Sequence, residues 1–128
     1  MTSFLRSILV AAAMLLAPAA MAGEIRDWDA AGFTAAQTAG KPVLLHVTAP
    51  WCPTCRAQKP VVEQLAADPA NDDLLVFEVD FDSRKDVLRT FGVRQQSTLI
   101  AFKGATEVAR SVGVTSRDGI AALVAKTK

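Results

Sequence analysis

Cys52 and Cys55 are the only cysteines of the 128-residue chain, and they stand three residues apart in Trp51-Cys52-Pro53-Thr54-Cys55. Two thiols at that spacing can close a small disulfide ring and reopen it. A metal site, an inert structural bridge and a chance pair are the other uses of such a stretch. A bridge between Cys52 and Cys55 closes almost no loop, and a disulfide stabilises more the longer the loop it closes. Chemistry is the better explanation of the pair.

The segment before the cysteines and the segment after them must position them. Val43 to Thr48 is short, β-branched and mostly apolar between Pro42 and Pro50, which predicts a strand buried on both faces. From about Cys52 to Ala67 the residues Val61, Val62, Leu65 and Ala66 recur at helical spacing, so one helix face packs on a sheet. Pro53 suits the first helical turn, whereas Pro60 falls in the interior and is expected to kink the helix. Cys52 then sits at a helix N-terminus, where unpaired N–H groups and the dipole favour thiolate, bringing a cysteine from about 8.5 toward roughly 3.5 to 7.5. Arg56 and Lys59 add positive charge if they turn toward it. Cys55 lies one turn deeper and less exposed. Position therefore makes Cys52 the nucleophile and Cys55 the resolving thiol.

The remaining elements follow from pattern. Ile25 to Trp28 reads as an edge strand and Asp29 to Ala39 as a helix stopped by Gly40. After a polar loop at Asp68 to Asp73, Leu75, Phe77, Val79 and Phe81 alternate along a strand from Leu74 to Phe81. Asp82 or Ser83 caps a helix from Arg84 to Phe91, which Gly92 ends. Thr98 to Phe102 and Glu107 to Val112 form a hairpin, and Thr115 or Ser116 opens a last helix with Ile120, Leu123 and Val124 inward. The fold class is α/β, a central mixed sheet flanked by helices in the order β-α-β-α-β-α-β-β-α.

Length and charge bound the function. Ser7 to Leu16 is almost wholly apolar after Arg6, and Ala20-Met21-Ala22 fits the small-x-small cleavage rule. The stretch is short of the roughly 20 apolar residues that span a bilayer. Residues 1–22 are expected to be a cleaved secretory signal, leaving a single domain at 23–128. That domain has 106 residues, with 13 Lys and Arg balancing 13 Asp and Glu. It suffices for one core and carries no basic run, so nucleic acid is not an expected partner. The expected location is periplasmic or secreted, an oxidising compartment in which the cysteine pair closes.

Trp51-Cys52-x-x-Cys55, Pro60, Phe91-Gly92-Val93 and Thr98-Leu99-Ile100-Ala101-Phe102-Lys103-Gly104 together resemble thioredoxin-fold thiol–disulfide oxidoreductases of the exported, bacterial periplasmic kind. The likeness covers Ile25 to Lys128. It implies a thioredoxin-like fold, disulfide exchange with protein substrates, no cofactor, a monomer, and a membrane thiol reductase as electron donor. Three departures stand out. Pro53-Thr54 replaces the Gly-Pro of cytoplasmic thioredoxins, and Thr54, which brings no charge, leans the reading toward reduction rather than oxidation. Ser97 stands where the family has a cis-proline, so a trans peptide is expected, with a more open and polar wall over Cys52. His46 falls six residues before Cys52, where the family has a buried acid, and is the candidate proton acceptor for Cys55.

Trp51 is expected as a hydrophobic lip toward substrate, and the backbone around Gln96 and Ser97 as its docking edge. Glu78 and Asp80 read as half-exposed strand residues without a catalytic role. Two competing functions remain: a soft-metal protein binding Cu(I) through the two cysteines, for which a closed zinc site lacks ligands, and a non-catalytic thioredoxin-like adaptor.

Overall fold

The computed structural model describes residues 22–128. The expected signal segment therefore lies outside the described residues, except for Ala22. Five strands form one sheet in the order β1-β3-β2-β4-β5. They are β1 Glu24–Asp27, β2 Pro42–Thr48, β3 Leu75–Asp80, β4 Thr98–Lys103 and β5 Thr106–Val112. β3 runs parallel to both β1 and β2, while β4 is antiparallel to β2 and to β5. The helices are α1 Ala30–Thr38, α2 Pro53–Ala67, α3 Lys85–Phe91 and α4 Arg117–Ala125. The mixed sheet and the element order are those expected from the pattern.

β2 lies at the centre because its residues need cover on both sides. Val43, Leu44, Leu45 and Val47 are fully buried, and a period of two sends them alternately to the two faces. On one face Val43, Leu45, Val47, Phe77, Val79, Ile100 and Phe102 pack with Phe33 and Ala36 of α1 and Val87 and Leu88 of α3. Phe33 stacks edge-on against Phe77, Phe91 and Phe102, with ring centroids 5.6, 5.4 and 5.4 Å away. On the other face Leu44, Val76, Leu99 and Ala101 meet Val62, Leu65 and Ala66 of α2 and Ile120, Leu123 and Val124 of α4.

Caps set the helix boundaries. Asp29 accepts from the Gly32 N–H at 3.1 Å, and Ser116 accepts from the Gly119 N–H at 3.1 Å, as N-cap side chains do. α3 departs from expectation. Neither Asp82 nor Ser83 caps it; Arg84 holds the N-cap position without a side-chain capping bond. Asp80 instead gathers the N–H groups of Asp82 and Ser83 at 2.9 and 2.8 Å, so the acid closes the turn before the helix. Gly92 ends α3 at φ 63°, a left-handed position that costs glycine no Cβ clash. The stretch expected to be a polar loop contains a 3₁₀ turn at Pro69–Asn71, with Asn71 buried and donating to the Leu65 carbonyl at 2.9 Å. β3 stops at Asp80, leaving Phe81 half-buried beyond it. α2 continues through Pro60, which lacks the N–H that would bond the Arg56 carbonyl.

Candidate active site

The two cysteines emerge where β2 gives way to α2. Cys52 is the N-cap of α2, with φ −87° and ψ 111°, and Pro53 occupies the first helical turn. The Cys55 N–H donates to Cys52 Sγ at 3.1 Å, so the sulfur takes the place of the oxygen of an ordinary capping residue. The Arg56 N–H reaches the Cys52 carbonyl at 3.1 Å and opens the helical ladder. Cys52 and Cys55 are joined in a disulfide with their Cα atoms 5.3 Å apart. Cys55 was expected to be the more shielded, yet each residue is 1% exposed. Ala49 clusters with both cysteines, and Phe81 packs against that cluster.

The asymmetry lies elsewhere. Cys55, but not Cys52, borders a cavity of about 320 Å³ that is also lined by Thr48, Arg56, Lys59, Glu78 and Asp80. Arg56 and Lys59 thus bring their charge to the side of Cys55. Glu78 and Asp80 come from β3, where the register sets Glu78 beside His46 and Asp80 beside Thr48. Hydrogen bonds from the Ser83 backbone, and more weakly from its hydroxyl and the Asp82 N–H, hold the Asp80 carboxyl below the ordinary carboxylate range. In the sequence Glu78 and Asp80 read as half-exposed strand residues. Alternation along β3 does place them on the α2 face, but their meeting with Cys55 requires the parallel register with β2.

His46 sits in the core at 1% exposure. The structure engages it with Gln58 rather than with either sulfur: Nε2 lies 3.0 Å from Gln58 Oε1, and Nδ1 has no partner. Burial lowers its pKa, and Lys59 lowers it further against the opposing pull of Gln58, so the ring is held neutral. Gln58 donates to the carbonyls of Ser97 at 3.0 Å and Val114 at 2.9 Å. No motif marks this glutamine; its only sequence signal is a polar residue on the apolar stripe of α2.

Ser97 has the expected trans peptide, since the described residues contain no cis bond. Its φ of 59° makes it the one described non-glycine residue with positive φ, a conformation that costs on the order of 1–3 kcal/mol. The Ser97 N–H donates to the Val47 carbonyl at 2.8 Å, and its carbonyl also accepts from the Gly113 N–H at 3.0 Å. The wall is not opened by the missing proline. Ser97 is 6% exposed and its hydroxyl turns back onto the Gln96 carbonyl. Pairing with Val47 places Ser97 at the end of the sheet from which the cysteines leave. Gln96 beside it is half-buried. Trp51 is 54% exposed, its Nε1 donating to Asp82 at 2.7 Å, so an acid from the turn after β3 orients the indole.

A capping sulfur joined to a second one a turn on can form and release a mixed disulfide. The thioredoxin family model matches residues 27–126. The thioredoxin of Mycobacterium tuberculosis is 37% identical over 93 residues, covering 73% of this chain and 79% of that protein. The thioredoxin of Chlamydia trachomatis is 37% identical over 84 residues, covering 66% and 80%. Among solved structures, Trxlp from Edwardsiella tarda is 44% identical with a TM-score of 0.77, covering 79% of this chain and 98% of that one. The chain belongs to the thioredoxin family and is a thiol–disulfide oxidoreductase.

Proposed function

We propose that the protein is an exported reductase of protein disulfides, with Cys52 as nucleophile and Cys55 as resolving thiol. The carrying observation is Cys52 Sγ as the N-cap of α2, accepting the Cys55 N–H. In the reduced protein that N–H and the dipole stabilise a Cys52 thiolate. The thiolate attacks one sulfur of a substrate disulfide, and the substrate's other sulfur leaves as a thiolate and takes a proton. Cys55 loses its proton and attacks Cys52 Sγ, which releases the second substrate thiolate and closes the disulfide seen here. Two electrons pass to the substrate, and a dithiol donor, proposed to be a membrane thiol reductase, restores the protein.

The route proposed for the Cys55 proton runs through the charged cavity that Cys55 borders, with Glu78 as its acceptor. Trp51 and the main chain at Gln96 and Ser97 are the proposed substrate contacts. A monomeric state is supported by the surface, where Trp51 and Val112 are the large apolar side chains left exposed among the described residues. The apolar Ser7–Leu16 run followed by Ala20-Met21-Ala22 supports export. The neutral Thr54 supports the reducing direction.

Reduction of insulin by dithiothreitol tests the activity: the wild type accelerates it, Cys52→Ser abolishes turnover, and Cys55→Ser accumulates a mixed disulfide. Wild-type protein no faster than Cys52→Ser would remove the reading. Equilibration with glutathione tests direction, with a potential near thioredoxin's, about −270 mV, expected and one near about −120 mV contradicting it. N-terminal sequencing of protein recovered from outside the cytoplasm is expected to begin at Gly23.

A further inference from the structure

Gln58 is fully buried in α2, one turn beyond Cys55. Its amide orientation follows from its neighbours. The carbonyls of Ser97 and Val114, at 3.0 and 2.9 Å, can only accept, so both amide hydrogens point to them. Oε1 is left facing His46 Nε2 at 3.0 Å, and that nitrogen must carry the ring proton. The result is one polar chain through the interior, from β2 through α2 to the Ser97 turn and to Val114 in the loop between β5 and α4.

An apolar side chain of the same length would fill this place without needing partners, and burying an amide is costly unless every group is paired. What the amide does that an apolar side chain could not is hold Ser97. The Ser97 backbone is fixed from three directions, by Val47, Gly113 and Gln58, while its φ of 59° is one that a serine avoids. Removing one of the three bonds lets φ relax toward negative values and turns the Gln96–Ser97 main chain.

We propose that Gln58 is a positioning residue that presents the Gln96–Ser97 main chain to an extended substrate peptide, with His46 aligning its amide. This rests on the reading of that turn as a substrate contact. The consequence is selective. A peptide that pairs with the turn's backbone depends on its shape, whereas a small dithiol attacking the disulfide needs no such pairing.

The test compares wild type with Gln58→Met, which keeps the length of the side chain and loses its donors. The KM for insulin is expected to rise about tenfold, as loss of the buried bond from Gln58 to the Ser97 carbonyl allows. The kcat and the single-turnover rate of disulfide reduction by dithiothreitol are expected to stay near wild type. Should Gln58→Met fold poorly because His46 Nε2–H is left unpaired, the double variant His46→Leu/Gln58→Met removes both polar groups and is expected to recover stability while keeping the raised KM. A wild-type KM in either folded variant, or a dithiothreitol rate falling in parallel with insulin turnover, overturns the proposal. Hydrogen exchange gives a readout separate from activity: the Ser97 amide, bonded to Val47, is expected to exchange faster in Gln58→Met, and unchanged exchange rejects the clamp. Failure of the wild type to reduce insulin would instead reject the function proposed above.

Discussion

The sheet face under α1 and α3 is built from aromatic and aliphatic side chains, whereas the face under α2 and α4 carries a histidine and a glutamine at its centre. Phe33, Phe77, Phe91, Phe102 and Trp28 interlock on the first face, with centroids 5.0 to 6.1 Å apart. The second face has no aromatic ring in its cluster, and α2 also brings Gln58 onto His46 of β2. Both faces bury their residues equally well. They differ in what a substitution would disturb. The aromatic face acts through packing, which is tolerant of direction, while the other acts through hydrogen bonds, whose geometry reaches the Ser97 turn.

The largest effect separating the faces is expected from Phe77→Ala. Truncating this fully buried ring should cost about 3–5 kcal/mol in urea unfolding, with the potential of the Cys52–Cys55 couple unchanged. A shifted potential would mean that the aromatic face also governs the site. Next, His46→Leu and Gln58→Met should each cost about 1–3 kcal/mol, because each strands buried polar partners. The double variant should cost less than the sum, with a coupling of about 0.5–3 kcal/mol from a double-mutant cycle. Additive costs would show that the two side chains do not act as a pair.

The pH dependence of stability should be smaller and should belong to the polar face. Burial holds the His46 pKa below its ordinary 6.5, so the unfolded chain binds the more protons in the window below that value. His46 therefore contributes stability that is complete above about pH 6.5 and is lost as pH falls toward its folded pKa, with a slope no steeper than about 1.4 kcal/mol per pH unit. Urea midpoints measured across that window should slope in the wild type and flatten in His46→Leu, while Phe77→Ala keeps the wild-type slope. An unchanged slope in His46→Leu would assign the acid sensitivity to another group.

Much of this arrangement is legible in the chain. The alternation of Leu75, Phe77 and Val79, the unbroken run from Val43 to Val47 and the helical spacing of Val62, Leu65 and Ala66 are local signals, and each element they predict is present. Cys52 at a helix start was legible for the same reason, since Pro53 and the apolar stripe mark the boundary. Asp82 and Ser83 look like caps, but Asp80 folds their own N–H groups into a turn, and the helix begins only after Arg84. Glu78 and Asp80 look like ordinary strand residues because their neighbour Cys55 is more than twenty positions away. Gln58 gave no warning of its three partners, which come from β2, the Ser97 turn and Val114.

By itself the sequence determined the elements and the redox pair, because periodicity, caps and the two-residue spacing between cysteines act over a few residues. Tertiary structure alone decided which groups surround that pair. Only the pairing of β2 with β3 brings Glu78 and Asp80 to the cavity beside Cys55. Only the packing of α2 across the sheet lets one glutamine join His46 to Ser97. Hydrogen bonds and charges across 12 to 39 residues of chain depend on where elements meet, and no local pattern encodes that distance.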